Sequence, residues 1–390
     1  MRFYLKDNVW DAALKRINWI FDEFPNVVTA FSGGKDSTVV LQLALKVAKE
    51  RQRILPVIFI DQEAEWRSVI EYARTIRELP GLDFRWYQMP LQLFNSASAD
   101  TEWLQCWQPG SDWMRPKEPG AITENIYGTT RFKDLFTAII NTEYAGQSCA
   151  LLGGVRCEES PRRNAGLTVS ATYKHITWGK AFNKKEHRYN LSPLYDWSYT
   201  DIWKAIHKNN WAYCKIYDYQ YQYGVPLLNM RVSNLHHETA VNSLFYLQEV
   251  ERDTFEALAK RLPGIHTIGQ MKSDAFDLPA KLPYMFESWK QYRDHLCQNL
   301  IVHHESQVAF QKRFSKMDIK YEKFPDKDKM YKAQLKAMLA NDWEGTLITN
   351  WESIPWVHGW YQWTNGKEHE LNAKNPYIIQ TKNKEEALAK

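Results

Sequence analysis

Six residues near the start of the chain, Ser32-Gly33-Gly34-Lys35-Asp36-Ser37, constrain the fold more than any other stretch. They stand between a short apolar, β-branched run, Val27 to Phe31, and a segment of helical periodicity, Ser37 to Glu50. A strand that breaks at glycines and passes straight into a helix aims backbone amides at whatever lies beyond the strand end. Two glycines admit positive φ and remove the Cβ atoms that would block close approach, so successive N–H groups converge on an anion. The helix behind them contributes only about half a unit of positive charge. That is too little for a polyphosphate, so Lys35 and further basic groups are expected to supply the rest. The loop is not the G-x-x-x-x-G-K-[ST] form, because lysine follows the glycines at once and aspartate follows lysine.

The rest of the first half alternates in the same way. Ile54 to Ile60 reads as a buried strand ending at Asp61, Ala64 to Leu79 as a crossover helix, and Asp83 to Met89 as a third strand. Pro90 to about Thr130 is irregular and Trp-rich, with turn signals at Pro109-Gly110 and Pro119-Gly120, and reads as an insertion near a site. A helix, Phe132 to Glu143, and an apolar strand, Ser148 to Leu152, resume the alternation. This predicts an α/β fold with a doubly wound, mostly parallel sheet, whose ligands sit outside the carboxyl ends of the strands. Beyond about residue 205 the text becomes aromatic, charged and helical, over Glu238 to Leu262, Pro283 to Phe314 and Lys329 to Asn341. A boundary at 215/216 is expected, separating a nucleotide-binding domain (1–215) from an aromatic-rich, mainly helical C-terminal domain (216–390).

Composition excludes several classes. The chain of 390 residues is 44% hydrophobic and 25% charged, ordinary for a globular protein. No apolar run reaches the roughly 18 residues of a membrane span. The N-terminus lacks the apolar core of a secretory signal, so a cytoplasmic location without membrane contact is expected. Five cysteines, Cys106, Cys149, Cys157, Cys214 and Cys297, are odd in number and form no C-x-x-C pair, which argues against disulfides, a zinc ribbon or an iron–sulfur cluster. The net charge is +4, and it is unevenly spread: Lys312 to Lys336 holds nine Lys or Arg against four Asp or Glu.

A second loop, Gly154-Val155-Arg156-Cys157-Glu158-Glu159-Ser160-Pro161-Arg162-Arg163, follows the strand at Leu152 and opens a helix, on the same sheet edge as the first. Its arginines are placed to clamp phosphate or sulfate oxygens, or else to serve as surface partners of an acidic first turn. Cys157 lies among them, read as a packing residue although guanidinium groups would lower a thiol pKa. A third segment, Ser192-Pro193-Leu194-Tyr195-Asp196-Trp197 with Thr200-Asp201-Ile202-Trp203, reads as a loop entering a capped helix with Trp203 packed inward. Asp61, at a strand end, is placed to meet a ribose or simply to cap the strand.

Ser-Gly-Gly-Lys-Asp-Ser resembles the PP-loop of the adenine nucleotide α-hydrolase-like superfamily, which includes ATP pyrophosphatases, PAPS reductases and sulfate adenylyltransferase small subunits. The second loop resembles the G-x-R-x-x-E-S-x-x-R pattern of PAPS reductase-like proteins at Gly154, Arg156, Glu159, Ser160 and Arg163. The third segment resembles their P-L-x-D-W-x-x-x-D-I-W run. Together these cover about residues 20 to 210 and imply a HUP-like fold. The C-terminal cysteine segment with which PAPS reductases attack sulfate is absent here, so thiol-dependent reduction is not expected. What remains resembles a PAPS reductase-like lineage of the YbdN and IbrA type, with a long C-terminal domain of unknown function, and implies a ParB-like partner and a link to DNA or transcription.

The expected activity is cleavage of the α–β phosphate bond of ATP, with AMP passed to an acceptor oxygen and pyrophosphate released. Ser32, Gly33, Gly34, Lys35, Asp36 and Ser37 would hold the phosphates, with Asp36 as a Mg²⁺ ligand. Lys35, Arg156 and Arg163 would stabilise the developing charge. Asp61, Gly154, Glu159 and Ser160 complete the expected binding set, with Lys35 facing solvent. Two alternatives stand beside this: a regulator that senses an adenine nucleotide without turnover, and sulfo transfer from PAPS. The basic segment, with Trp351, Trp356, Trp360, Tyr361 and Trp363, suggests nucleic acid contact through residues 312–363, or else a charged helix beside a Trp-rich core. His236, His237 and Glu238, like His303 and His304, are set aside as metal ligands because adjacent histidines point to different faces.

Overall fold

The computed structural model describes residues 6–94, 103–169, 171–235, 241–262, 265, 278–301, 304–340, 342 and 345–364. The chain divides into two compact units, residues 1–93 with 103–269, and residues 94–102 with 270–390. The first unit runs α1 (Val9–Glu23), β1 (Asn26–Phe31), α2 (Lys35–Glu50), β2 (Leu55–Ile60), α3 (Arg67–Arg77), β3 (Leu82–Tyr87), β4 (Leu91–Phe94), β5 (Trp103–Cys106), α4 (Phe132–Glu143) and β6 (Cys149–Leu152). It continues through α5 (Pro161–Thr168), β7 (Gly179–Asn183), β8 (Arg188–Leu191), α6 (Tyr199–Lys208), α7 (Ile216–Gln222), α8 (Val241–Val250) and α9 (Arg252–Arg261).

Six strands form one sheet in the order β3-β2-β1-β6-β8-β7, and β4 pairs with β5 in a separate ribbon. Strands β3, β2, β1, β6 and β8 are parallel, and the edge strand β7 runs antiparallel to β8. All four residues of β6 are buried, as are Val27, Val28 and Phe31 of β1, the continuous burial of parallel strands covered on both faces. The doubly wound α/β expectation therefore holds. From β1 the chain builds outward through β2 to β3, then returns to lay β6 on the opposite side of β1. The strand order thus reverses between β1 and β6, and it is in the crevice beyond the carboxyl ends at such a switch point that sheets of this kind bind ligands.

Most elements begin and end within a few residues of expectation. The helix expected from Ala64 starts instead at Arg67, because residues 61–65 turn tightly: Ala64 N donates to Gln62 O at 2.7 Å, Glu65 N to Glu63 O at 2.9 Å, and Glu63 takes a φ of 62°. The 90–131 insertion carries the β4–β5 ribbon and is stitched to the sheet where Ile122 N donates to Trp86 O at 2.8 Å.

The units divide at 269/270, not at the expected 215/216. The physical reason lies in contacts that residues 212–261 make with the sheet domain. Tyr72 Oη donates to Ala212 O at 2.8 Å, and Leu235 N to Ala64 O at 2.8 Å. Trp66 stacks on Tyr246 with ring centroids 5.6 Å apart, and Arg261 Nε meets Glu63 Oε1 at 2.7 Å. The N-terminus of α3, whose N-cap Trp66 has no capping oxygen, is capped from afar: Glu251 accepts from Arg67 N at 2.7 Å and from Ser68 N at 2.9 Å.

The second unit contains the helices Trp289–Asn299, His304–Lys320, Lys327–Leu339, Thr346–Glu352 and Pro355–Thr364. Phe310, Phe314, Met317, Tyr321, Phe324 and Met338 form its core. Arg293 is buried inside it, bonded to Asp318 at 2.8 Å and Gln334 at 2.5 Å. Trp351, Trp356 and Trp360 pack on Phe324 with centroids 5.5, 5.1 and 5.0 Å away, and Tyr361 packs on Tyr321, so these half-buried rings edge the core of the unit as the alternative of a Trp-rich core expects. His236, His237, Glu238 and His303 lie outside the described residues. Among those described, no helix is long and apolar enough to cross a membrane.

Glu251→Ala leaves two amides of α3 and the Thr254 hydroxyl without their acceptor. Its unfolding free energy in urea is expected to fall by about 1–3 kcal/mol, with Glu251→Gln retaining part of the loss. An unchanged midpoint with Glu251→Ala would contradict the remote cap.

Candidate functional site

The two glycine loops face each other across the crevice because β1 and β6 are neighbours. Gly33 takes a φ of +73°, and a Cβ there would lie 2.9 Å from Val69 Cγ1. Gly34 caps α2 with extended backbone and no side chain. Gly154 approaches so closely that a Cβ would sit 2.9 Å from the Asp36 carbonyl carbon and 3.0 Å from Ser37 N. Arg156, only 4% exposed, fastens the second loop to the first: its Nε donates to Asp36 Oδ1 at 2.6 Å, its Nη1 to Glu158 Oε2 at 3.0 Å and to Trp197 O at 3.2 Å.

The phosphate loop is internally braced. Ser37 Oγ donates to Gly34 O at 2.9 Å, accepts from Ser32 N at 3.3 Å and lies 3.1 Å from Ser32 Oγ. Thr38 Oγ1 donates to the same Gly34 carbonyl at 2.9 Å. The backbone N–H groups of Gly33, Gly34, Asp36 and Ser37 donate to none of the described residues, the unpaired donors of a helix start.

Lys35 does not face solvent as expected. It is 5% exposed, its Nζ donates to Met230 O at 3.0 Å and lies 3.2 Å from Asp36 Oδ2, and its amide donates to Tyr217 Oη at 2.8 Å. Burial chiefly lowers its pKa below the usual 10.5. Asp36 pulls against that shift, while Arg156 and Arg231 add to it. Asp36 has a cation at each carboxylate oxygen, Arg156 Nε at one and Lys35 Nζ at the other. That surrounding does not fit a Mg²⁺ ligand. Among the described residues no group of three or more His, Cys, Asp or Glu assembles for a metal.

In the second loop, Glu159 Oε1 accepts from Arg156 N at 2.9 Å and its other oxygen pairs with Arg163. Ser160 caps α5 by accepting from Arg163 N at 3.2 Å. Both residues therefore act as local braces. The Arg163 side chain is half exposed. Partial burial, with Arg231 and Arg156 nearby, lowers its pKa against the pull of Asp36. Cys157 is not activated, since burial and Asp196 push its thiol pKa up. The third segment behaves as expected: Ser198 caps α6 reciprocally with Asp201, and Trp203 packs edge-on against Tyr217 at 5.1 Å.

Asp61 is not placed for a ribose. It is fully buried, bonded by Arg115 Nη2 at 2.5 and 2.6 Å, Trp86 Nε1 at 2.8 Å, Gln88 Nε2 at 2.9 Å and Glu63 N at 3.0 Å, so its oxygens are engaged within the protein. The neighbouring Glu65 is pushed up to about 8, first by burial and then by Asp61.

The structure thus brings together Ser32, Gly33, Gly34, Lys35, Asp36, Ser37, Gly154, Arg156, Glu159, Ser160 and Arg163, and holds Asp61 apart. It adds Tyr217, Met230 and Arg231. Sequence reasoning passed over these because Tyr217 lies 182 residues from Lys35 in an aromatic stretch with no local signal.

A family model, the phosphoadenosine phosphosulfate reductase domain, matches residues 26–224. The chain is 30% identical over 276 residues to YbdN of Escherichia coli (strain K12), covering 67% of this chain and 67% of that protein. It is 26% identical over 219 residues to adenosine 5'-phosphosulfate reductase of Lysinibacillus sphaericus (strain C3-41), covering 55% of this chain and 78% of the relative. Among solved structures, FMN adenylyltransferase of Candida glabrata with FMN and an ATP analogue aligns with a TM-score of 0.34 at 16% identity. That alignment covers 56% of this chain and spans 65% of the other.

Gly154→Ala forces a Cβ against the first turn of α2 and is expected to lower the unfolding free energy by about 1–3 kcal/mol, read by urea denaturation; a wild-type midpoint would refute the close approach. Glu65 carries a raised folded-state pKa, so its contribution is present below pH 4.5 and is lost as pH rises towards about 8. Glu65→Gln is expected to flatten that decline in a melting-temperature series, and parallel wild-type and variant curves would contradict it.

Proposed function

Because the chain belongs to the phosphoadenosine phosphosulfate reductase domain family, we propose that it binds an adenine nucleotide with the anionic tail between the two glycine loops. The reaction is adenylyl transfer: an acceptor oxygen attacks the α-phosphorus of ATP, the bond to the bridging oxygen breaks, and pyrophosphate leaves with the electron pair. The observation that carries this reading is the row of open amides at Gly33, Gly34, Asp36 and Ser37, facing a loop fastened by Arg156. Such donors complement charge that gathers on a leaving phosphate. Lys35 and Arg163 supply the positive charge nearest the amides. Arg156, with two nitrogens already bonded, is a positioning residue. No cysteine competes for the chemistry: Cys106, Cys149, Cys214 and Cys297 are buried, and the Cys157 thiol pKa is raised.

A second reading, sensing without turnover, is favoured by one contact. Tyr217 Oη already occupies the first amide of α2, so the resting loop is partly filled by protein. In that reading ATP is held unchanged, and the exposed lysines of Lys312–Lys336 meet DNA or a ParB-like partner. An anion cradle also accepts a phosphosulfate, and competition between PAPS and ATP orders the two.

Incubation of the purified chain with ATP is expected to yield pyrophosphate and an adenylylated acceptor once an acceptor is supplied, with free AMP formed only where water takes the acceptor's place; ATP retained intact across acceptors would support sensing. Lys35→Met, which keeps the buried volume, is expected to weaken ATP binding at least about tenfold. Unchanged affinity would overturn the site. Because the Lys35 pKa is depressed, free protein loses this charge as pH rises through a value below 10.5, so wild-type affinity falls on that alkaline limb. Lys35→Arg is expected to remove the fall, as titration calorimetry over pH 7–10 would show.

A further inference from the structure

After α7 and a 3₁₀ turn at Leu227–Asn229, residues 230–235 cross from the phosphate loop to the turn beyond β2 as a strap. It is tied on both sides. Met230 is buried and its carbonyl accepts from Lys35 Nζ at 3.0 Å, while Arg231 O accepts from Gln220 Nε2 at 2.8 Å. Asn234 Nδ2 donates to Gln62 Oε1, and the buried Leu235 donates through its amide to Ala64 O at 2.8 Å. Between these anchors Arg231 is exposed, and among the described residues its side chain has neither a hydrogen bond nor an acidic partner.

Its neighbours are cations. The bond from the Lys35 ammonium to the Met230 carbonyl sets Arg231 one residue from a side chain of the phosphate loop, and its charge lowers the pKa of both Lys35 and Arg163. Like charges held together on an anchored backbone disfavour one another until an anion arrives. Three backbone anchors, at Met230 O, Arg231 O and Leu235 N, and the Asn234 side chain fix where the Arg231 Cα sits beside the phosphate loop, so its side chain starts within reach of an anion held there. We propose that Arg231 is a third cationic ligand, with Lys35 and Arg163, for the polyphosphate end of the nucleotide. It thereby makes the site select an adenosine polyphosphate over AMP.

This inference rests on the nucleotide reading above, and pyrophosphate separates the two. Titration calorimetry of wild type, Arg231→Ala and Arg231→Lys with ATP, pyrophosphate and AMP is the test. Arg231→Ala is expected to weaken ATP and pyrophosphate about tenfold, to leave AMP within about twofold, and to keep the wild-type melting temperature, with Arg231→Lys in between. A loss shared equally by AMP, or no loss at all, overturns the role of Arg231 while leaving the nucleotide reading standing. Pyrophosphate bound by wild type and lost in Arg231→Ala, without ATP binding, supports Arg231 as an anion ligand and sinks the nucleotide reading. Wild type that binds neither ATP nor pyrophosphate overturns both.

Discussion

The ion pair between Arg156 and Asp36 is the contact on which the site's geometry depends. It joins a loop after β6 to the first turn of the helix after β1, 120 residues apart in sequence, at the place where strand order reverses. Pairs this enclosed add little net stability, because removing both groups from water costs about as much as their attraction returns. Their value is positional. Arg156 sets how near the second loop comes, and Gly154, by lacking a Cβ, lets it come that near. The width of the crevice is therefore determined by one salt bridge and one missing methyl group, and the amides of α2 look across it.

Charge distribution bears on the crevice as well. Asp36 is the acid nearest the amide row, and both its oxygens are engaged by cations. Glu158 and Glu159 are drawn into bonds with Arg156 and Arg163. That leaves Arg231 without an acid among the described residues, and Lys35 buried enough that its charge is disfavoured. An incoming polyanion relieves both conditions at once. It must also compete with the Tyr217 hydroxyl for the Lys35 amide, a built-in cost that separates tightly held ligands from weak ones.

How much of this was legible depends on whether the determinant is local. The Ser32–Ser37 turn could be read because glycine, strand and helix signals follow one another within a few residues, and the same holds for the loop from Gly154 to Arg163. Which two loops meet followed from the alternation of strands and helices. The role of Asp61 was not legible. A strand-end acid looks alike whether it meets a ligand or Arg115, and the choice was made by Trp86, Gln88 and the folded insertion. The burial of Lys35 was hidden for a similar reason, since its covering residues belong to text that reads as another domain. The aromatic run of Trp351, Trp356 and Trp360 was legible only as a pair of alternatives, because stacking on Phe324 and stacking on a base call for the same residue types.

These contacts also bear on where this chain departs from the shared domain. The family match ends at residue 224, whereas Met230, Leu235, Glu251 and Arg261 lie beyond it and still bond to Lys35, Ala64, the N-terminus of α3 and Glu63. A chain cut at 224 would keep Tyr217 on the Lys35 amide but strip the Lys35 ammonium of its carbonyl, uncap α3, and leave the buried Glu63 carboxylate without the Arg261 guanidinium. Each of those is a polar group stripped of its partner, so the shared segment of this chain is not physically self-sufficient. The similarity to YbdN extends over 276 residues, longer than the family match. Beyond residue 215 it is Tyr217 and Met230 that close over Lys35, while Glu251 and Arg261 secure the N-terminal side of α3 and the turn beyond β2.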